Sequence, residues 1–153
     1  MHFEPSLLGQ ILFRTADLVD AQARQKHIAI QRRPVDPDPI IFCDPELIYQ
    51  VALNLLVNAA QAIPEKGKIF VSTRMEGGFA VIRVRDTGIG IPAESLPKIF
   101  EPFFTTKPVG KGTGLGLHVA YKVVKAHGGD ITVRSEPGHG TEFAVRLPLQ
   151  PPG

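Results

Sequence analysis

Apolar positions along the chain repeat with two different periods. After Ser6, a candidate N-cap, Leu7, Leu8, Ile11, Leu12, Leu18 and Val19 fall near one face of a helix, which predicts a first helix over residues 6–25. Short strands over 27–31 and 40–43 flank a connection that contains Pro34, Pro37 and Pro39. A second helix over 45–63 opens with Asp44 as N-cap and Pro45 in the first helical position. Ile48, Val51, Ala52, Leu55, Leu56, Ala59 and Ile63 make its core face, and Pro64 and Gly67 stop it. Alternation predicts strands over 68–75 and 79–85, joined through Glu76-Gly77-Gly78 as a hairpin. A third helix, from about 115 to 126, ends at Gly128-Gly129. The closing hairpin pairs 130–135 with 141–147, with Ile131 and Val133 facing Phe143, Val145 and Leu147.

Strands joined as hairpins, with helices between them, predict an α+β fold: a two-layer sandwich with a mostly antiparallel mixed sheet and three main helices on one face. All of it fits one domain over residues 1–153. Residues 86–114 break the pattern, being rich in glycine and proline with only a brief helical stretch over 94–100. A segment that long with so little regular structure is usually functional.

Composition narrows the classes. A hydrophobic share of 43% and a charged share of 21% are those of a soluble globular chain. A net charge of +2, with basic residues dispersed along the sequence, argues against a nucleic-acid partner. The single cysteine, Cys43, excludes an internal disulfide and a cysteine-based zinc site, and its apolar setting predicts a buried, inert thiol. No apolar run approaches the roughly 20 residues that span a bilayer, and the first five residues carry no signal-peptide pattern. The expectation is a cytoplasmic domain without membrane contact of its own, whatever anchors a larger parent.

Three segments carry candidate chemistry. On the second helix, Gln50, Asn54, Asn58 and Gln61 share a face beside the core face. Asparagine is a poor helix former, so a stripe of amides reads either as solvated surface or as oxygens aimed at a hard cation. Asp86-Thr87-Gly88-Ile89-Gly90-Ile91-Pro92 leaves a strand and turns at once; its glycines permit close approach of a flat ligand, and its carboxylate can accept from an amino group such as that of adenine. Lys111-Gly112-Thr113-Gly114-Leu115-Gly116-Leu117 leads into a helix, whose amino end suits phosphate, with Lys107 nearby to neutralise charge. The spacing is neither that of a Walker motif nor that of the dinucleotide fingerprint, and a protein-kinase HRD motif is absent. Phe100, Phe103 and Phe104 lie between the glycine segments, either as core or as the hold-down of a lid.

In this order, the segments resemble the catalytic domain of bacterial sensor histidine kinases of the GHKL superfamily, over roughly Leu7 to Pro148. The asparagine box is Asn54 to Ala59, the first glycine box Asp86 to Gly90, the phenylalanine box Phe100 to Phe104 and the second glycine box Gly112 to Leu117, with Gly140-Thr141-Glu142-Phe143 closing the pattern. The resemblance implies a Bergerat-type sandwich that binds ATP or ADP with Mg2+ under a lid over residues 86–114, and transfers the γ-phosphoryl group to a histidine. It makes Asn58 the magnesium ligand supported by Asn54, and counts Lys107 with them as catalytic. Asp86 would bond the adenine amino group, Gly88, Ile89, Gly90 and Ile91 would shape the base pocket, and Gln61, Ala62, Phe100 and Thr141 would line it. Thr105, Thr106, Lys107 and Lys111 would reach the triphosphate, held by Gly112, Thr113, Gly114, Leu115, Gly116 and Leu117.

Gln61 and Ala62 stand where many members of the family have a lysine and then an aromatic residue; with the Phe-Phe-Thr-Thr-Lys lid, that variant looks like the nitrogen-regulation-like branch. His118 replaces a frequent serine, with little effect expected. No histidine has the phosphoacceptor context, and His127 reads as a helix-end residue favoured by the dipole. The implied partners are therefore a histidine-bearing dimerisation domain, absent from this sequence, and a response regulator. The competing readings are a GHKL ATPase, an anti-sigma-type serine kinase and a degenerate nucleotide-binding docking module. ATPases of the superfamily place a glutamate base where Asn54 stands, and an amide cannot take a proton from water at neutral pH.

Overall fold

The computed structural model describes residues 1–105 and 116–150. Its elements are β1 (Glu4–Leu7), α1 (Leu8–Gln25), β2 (Ile28–Arg33), β3 (Ile40–Cys43), α2 (Pro45–Ala62), β4 (Gly67–Glu76), β5 (Phe79–Asp86), α3 (Gly116–Ala126), β6 (Asp130–Ser135) and β7 (Thr141–Pro148), with one 3-10 turn at Leu96–Lys98. The main sheet has the order β2-β4-β5-β7-β6, parallel at β2-β4 and antiparallel elsewhere. Strict alternation places Ile69, Val71, Ala80, Ile82, Val84, Phe143, Val145 and Leu147 on one face, and α1, α2 and α3 bury it. The α+β sandwich with three helices on one face is thus the observed architecture. The last hairpin has the expected register, with Ile131 opposite Val145 and Val133 opposite Phe143.

The first helix departs from expectation at its start. Glu4–Leu7 is a strand paired antiparallel with Ile40–Cys43, and Ser6 bonds the Glu4 carbonyl instead of capping. The helix begins at Leu8, and its orphan amides are satisfied from afar: Asp38 accepts from the Gly9 and Gln10 N–H groups at 2.7 and 3.0 Å. A cap 28 or 29 residues distant leaves no local pattern to read. Leu18, predicted to face the core, is 62% exposed, and the small residues Thr15, Ala16 and Ala23 are buried there instead. Arg32, on the helix-facing side of β2, holds Asp17 and Asp20 of α1 at 2.9 and 2.7 Å. Cys43 is buried, and burial raises the pKa of its thiol.

Asp44 is an N-cap as expected, accepting from the Leu47 N–H at 3.2 Å. It is also a junction, because it accepts from the His2 N–H at 2.9 Å and its own N–H donates to His127 Nε2 at 3.1 Å. His127 Nδ1 lies 2.8 Å from the Val123 carbonyl, to which it must donate. With one ring nitrogen donating and the other accepting, His127 is a neutral, buried tie between the end of α3 and the start of α2. That is more than the dipole-favoured helix-end residue expected, and the reason is again a partner far away in sequence. Asp44→Ala is expected to lower unfolding stability by about 1–2 kcal/mol, measured by urea titration.

Candidate functional site

The polar stripe of α2 has exposed ends at Gln50 and Gln61, while Asn54 and Asn58 in its middle are half-buried. Asn54 Nδ2 donates to the Gly116 carbonyl at 3.0 Å, joining the stripe to the first residue of α3. At the other end of the stripe, the Ala62 carbonyl accepts from the Ile89 N–H at 3.0 Å, joining α2 to the turn that leaves β5. Asn54, Asn58 and Ala62 are successive turns of one helix, so the stripe spans about 12 Å between these two anchors.

The turn itself is packed from three sides. Asp86 ends β5 opposite Thr141 and is 2% exposed. It accepts from the Gly88 N–H at 2.8 Å and from the Thr141 N–H, but burial outweighs both and raises its pKa to about 6. The Ile89 carbonyl accepts from the Gly138 N–H at 2.7 Å, and the Ile91 N–H donates to Ser135 Oγ at 2.8 Å. Ser135 in turn bonds Thr141 Oγ1 and the Gly140 carbonyl, both at 2.9 Å. A Cβ on Gly88 would collide with the Ala62 carbonyl, and one on Gly140, which has φ +88°, with the Asp86 carbonyl. These glycines admit protein backbone on their Cβ side, where the pattern alone suggested a flat ligand. Gly90 likewise faces the Glu136 carbonyl.

Of the phenylalanine box, Phe100 stacks on Tyr121 at 5.4 Å and meets Phe143 edge-on at 6.2 Å, whereas Phe103 is 72% exposed. His118 Nδ1 lies 3.1 Å from the Phe100 carbonyl and donates to it, so this departure from serine fastens the box to α3. Leu117 is half-buried and Thr105 exposed. Thr106, Lys107, Lys111, Gly112, Thr113, Gly114 and Leu115 lie outside the described residues.

The fold therefore brings Gln61, Ala62, Asp86, Gly88, Ile89, Gly90, Ile91 and Thr141 around one turn, and ties Asn54 to the start of α3, with Asn58 between. Ser135, which was not among the sequence candidates, and Gly140, named only within the closing pattern, hold that turn in place. Ser135 bonds Ile91 across 44 positions, which no local motif encodes.

A family model described as histidine kinase-, DNA gyrase B-, and HSP90-like ATPase matches residues 43–151. Sporulation kinase E of Bacillus subtilis (strain 168) is 40% identical over 149 residues, which are 97% of this chain and 20% of that protein. The chain thus spans about a fifth of the length of that relative. The catalytic domain of histidine kinase ThkA superposes with a TM-score of 0.88 at 32% identity, covering 99% of this chain and 100% of that one. ThkA in complex with response regulator protein TrrA gives 0.81 at 27% identity, over 97% of this chain and 42% of that one. Full-length ShkA in complex with AMPPNP gives 0.88 at 30% identity, over 100% of this chain and 32% of that one.

A carboxyl group whose folded pKa lies above its unfolded value binds protons more tightly in the folded state, so its ionisation costs stability as pH rises. For Asp86 that cost develops between pH 3.8 and about 6 and is complete above it. Asp86→Asn is therefore expected to be more stable than the parent chain by about 2–3 kcal/mol at pH 7. That advantage should vanish below pH 4, as followed by thermal unfolding across pH.

Proposed function

Because the chain belongs to the histidine kinase-, DNA gyrase B-, and HSP90-like ATPase family, as a catalytic domain of the sensor histidine kinase type, we propose that it binds Mg·ATP between α2 and α3 and passes the γ-phosphoryl group to a histidine of a separate dimerisation domain. The observation that carries this reading is the α2 stripe, anchored at one end to the buried carboxylate turn and at the other to the amino end of α3. An extended nucleotide laid along it has an acceptor for its base amino group at Asp86. It also has a helix amino end for its phosphates near Gly116.

The donor chemistry fits a hard cation. Asn58 is half-buried on the same face of α2 as Asn54, and an amide oxygen is the kind of ligand that suits a hard cation. Bound magnesium supplies charge neutralisation at the phosphates during transfer. The protein's share is positioning: Asp86 orients the base, Asn58 orients the metal-bearing phosphates, and Asn54 fixes the start of α3 that would receive them. Lys107 and Lys111, with Thr105, Thr106 and the glycines of the second box, are the proposed phosphate contacts from the lid. Asn54 spends its amide N–H on the Gly116 carbonyl and has no basic atom for water, which favours transfer over the hydrolase reading.

Two of the similar solved structures support the partners proposed, since one holds a nucleotide analogue and another a response regulator. By analogy the downstream partner is a response regulator, and the setting is the cytoplasm. No described helix is long and apolar enough to cross a membrane.

Alone, the chain should bind Mg·ATP in calorimetry without releasing phosphate; rapid release would favour the hydrolase, and absence of binding the degenerate module. Mixed with the histidine-bearing hairpin of its parent and labelled ATP, it should place an acid-labile, base-stable label on the hairpin. Asn58→Ala should reduce that transfer by about a hundredfold or more. If the ionised Asp86 is the adenine acceptor, affinity should fall as pH drops through about 6 and be about tenfold weaker at pH 5. A flat pH profile, or unchanged affinity in Asp86→Asn, would refute its role.

A further inference from the structure

Basic residues that are dispersed in sequence gather on the helix-free face of the sheet, because strand alternation points every second residue there. Arg33 of β2, Lys68 and Arg74 of β4, Arg83 and Arg85 of β5, Arg134 of β6 and Arg146 of β7 occupy register positions of that face. They are seven of the chain's 17 cationic side chains, against three of its 15 carboxylates, Glu76, Asp130 and Glu142. The face is thus +4 on a chain of +2, and all remaining residues together carry −2.

The two ends of this face differ. At one end Glu76 lies 2.7 Å from Arg83, 3.8 Å from Arg74 and 3.8 Å from Arg146, a self-satisfied cluster. Asp130, in register with Arg146 toward the same end, is matched by Lys125 at 3.1 Å. At the other end Arg33, Lys68, Arg85 and Arg134 have no ion pair among the described residues. Arg33 and Arg85 instead stack on Phe70, at 5.7 and 5.0 Å from its ring centre. Beside them, Arg85, Arg134 and His139, together with Glu136 and Glu142, line a shallow depression of about 260 Å³.

We propose that this end of the open face docks a carboxylate-bearing segment of a partner protein, on the side of the sheet opposite the helices and the nucleotide crevice. Arginine is the residue suited to the task, since its planar fork matches a carboxylate through two parallel hydrogen bonds. Stacking on Phe70 holds two guanidinium groups in place before binding, which lowers the ordering cost. A polypeptide can space its carboxylates to avoid Glu136 and Glu142, whereas a uniformly anionic lipid plane would press against them and against Glu76. Arg85 and Asp86 are consecutive residues on opposite faces, so docking leaves the crevice open and can be measured independently of nucleotide.

The test uses the whole 153-residue chain, labelled with nitrogen-15, titrated with a synthetic peptide of alternating glutamate and serine. Amide shifts should concentrate on β2, β4, β5 and β6 near Phe70, with or without Mg·ATP. The triple change Arg33→Glu, Arg85→Glu, Arg134→Glu should weaken the peptide about tenfold or more. An equal reversal on the helical layer, Arg14→Glu, Arg24→Glu, Lys122→Glu, should change affinity less than about twofold. If the first triple variant unfolds, Arg85→Gln alone provides the comparison. Absence of binding, equal loss in both triple variants, or co-sedimentation with phosphatidylserine vesicles that depends on Arg33 and Arg85 while the peptide does not bind would overturn the proposal.

Discussion

The site depends on a buried carboxylate at a crossing of three backbones. Asp86 ends its strand beneath the surface, and burial keeps its charge expensive despite two N–H donors. The chain can hold such a group only if the surrounding backbone is fixed. The Ala62 carbonyl from α2, the Gly138 amide from the last hairpin and the Ser135 hydroxyl all bind the residues just beyond it. Glycines at 88 and 140 let these backbones meet without side chains between them. A carboxylate that opposes stability and is nevertheless framed this closely fits a role in recognition better than one in folding.

From that crossing the rest of the site is laid out by helix geometry. α2 runs from the Asp86 turn to α3, and its amides recur once per turn along the way. Because α2 is also the central helix of the core, with Leu55 and Leu56 fully buried, its polar face inherits the rigidity of its apolar one. The amino end of α3 is positioned twice, by Asn54 from α2 and by His118 and Tyr121 against the phenylalanine box. The groups proposed to meet a single triphosphate are thus mounted on helices packed into the core.

Local chemistry made much of this legible. Asp44-Pro45 announced α2, alternation announced the hairpins, and the spacing of Asn54 and Asn58 placed both on one helical face. What was not legible is long-range: Asp38 capping α1, His127 accepting from Asp44, and Ser135 holding Ile91. Each is one polar atom meeting another tens of residues away, and no periodicity records such a meeting. Ser6 illustrates the opposite error, a good local cap overridden by strand pairing with Ile40–Cys43. The basic face was missed for a similar reason. Arginines separated by two to 49 residues look scattered until the register of five strands lines them up. The glycines were read correctly as sites of close approach, but it is protein backbone that approaches on their Cβ side.

The Asp86 turn, the α2 amides and the amino end of α3 are proposed to serve one nucleotide. A crystal structure of the chain with magnesium and a non-hydrolysable ATP analogue tests this directly. The base amino group is expected within hydrogen-bond distance of the Asp86 carboxylate, the metal on the Asn58 amide oxygen, and the phosphates at the start of α3. A nucleotide lodged elsewhere, or bound with Asp86 and Asn58 facing separate cavities, would contradict the proposal.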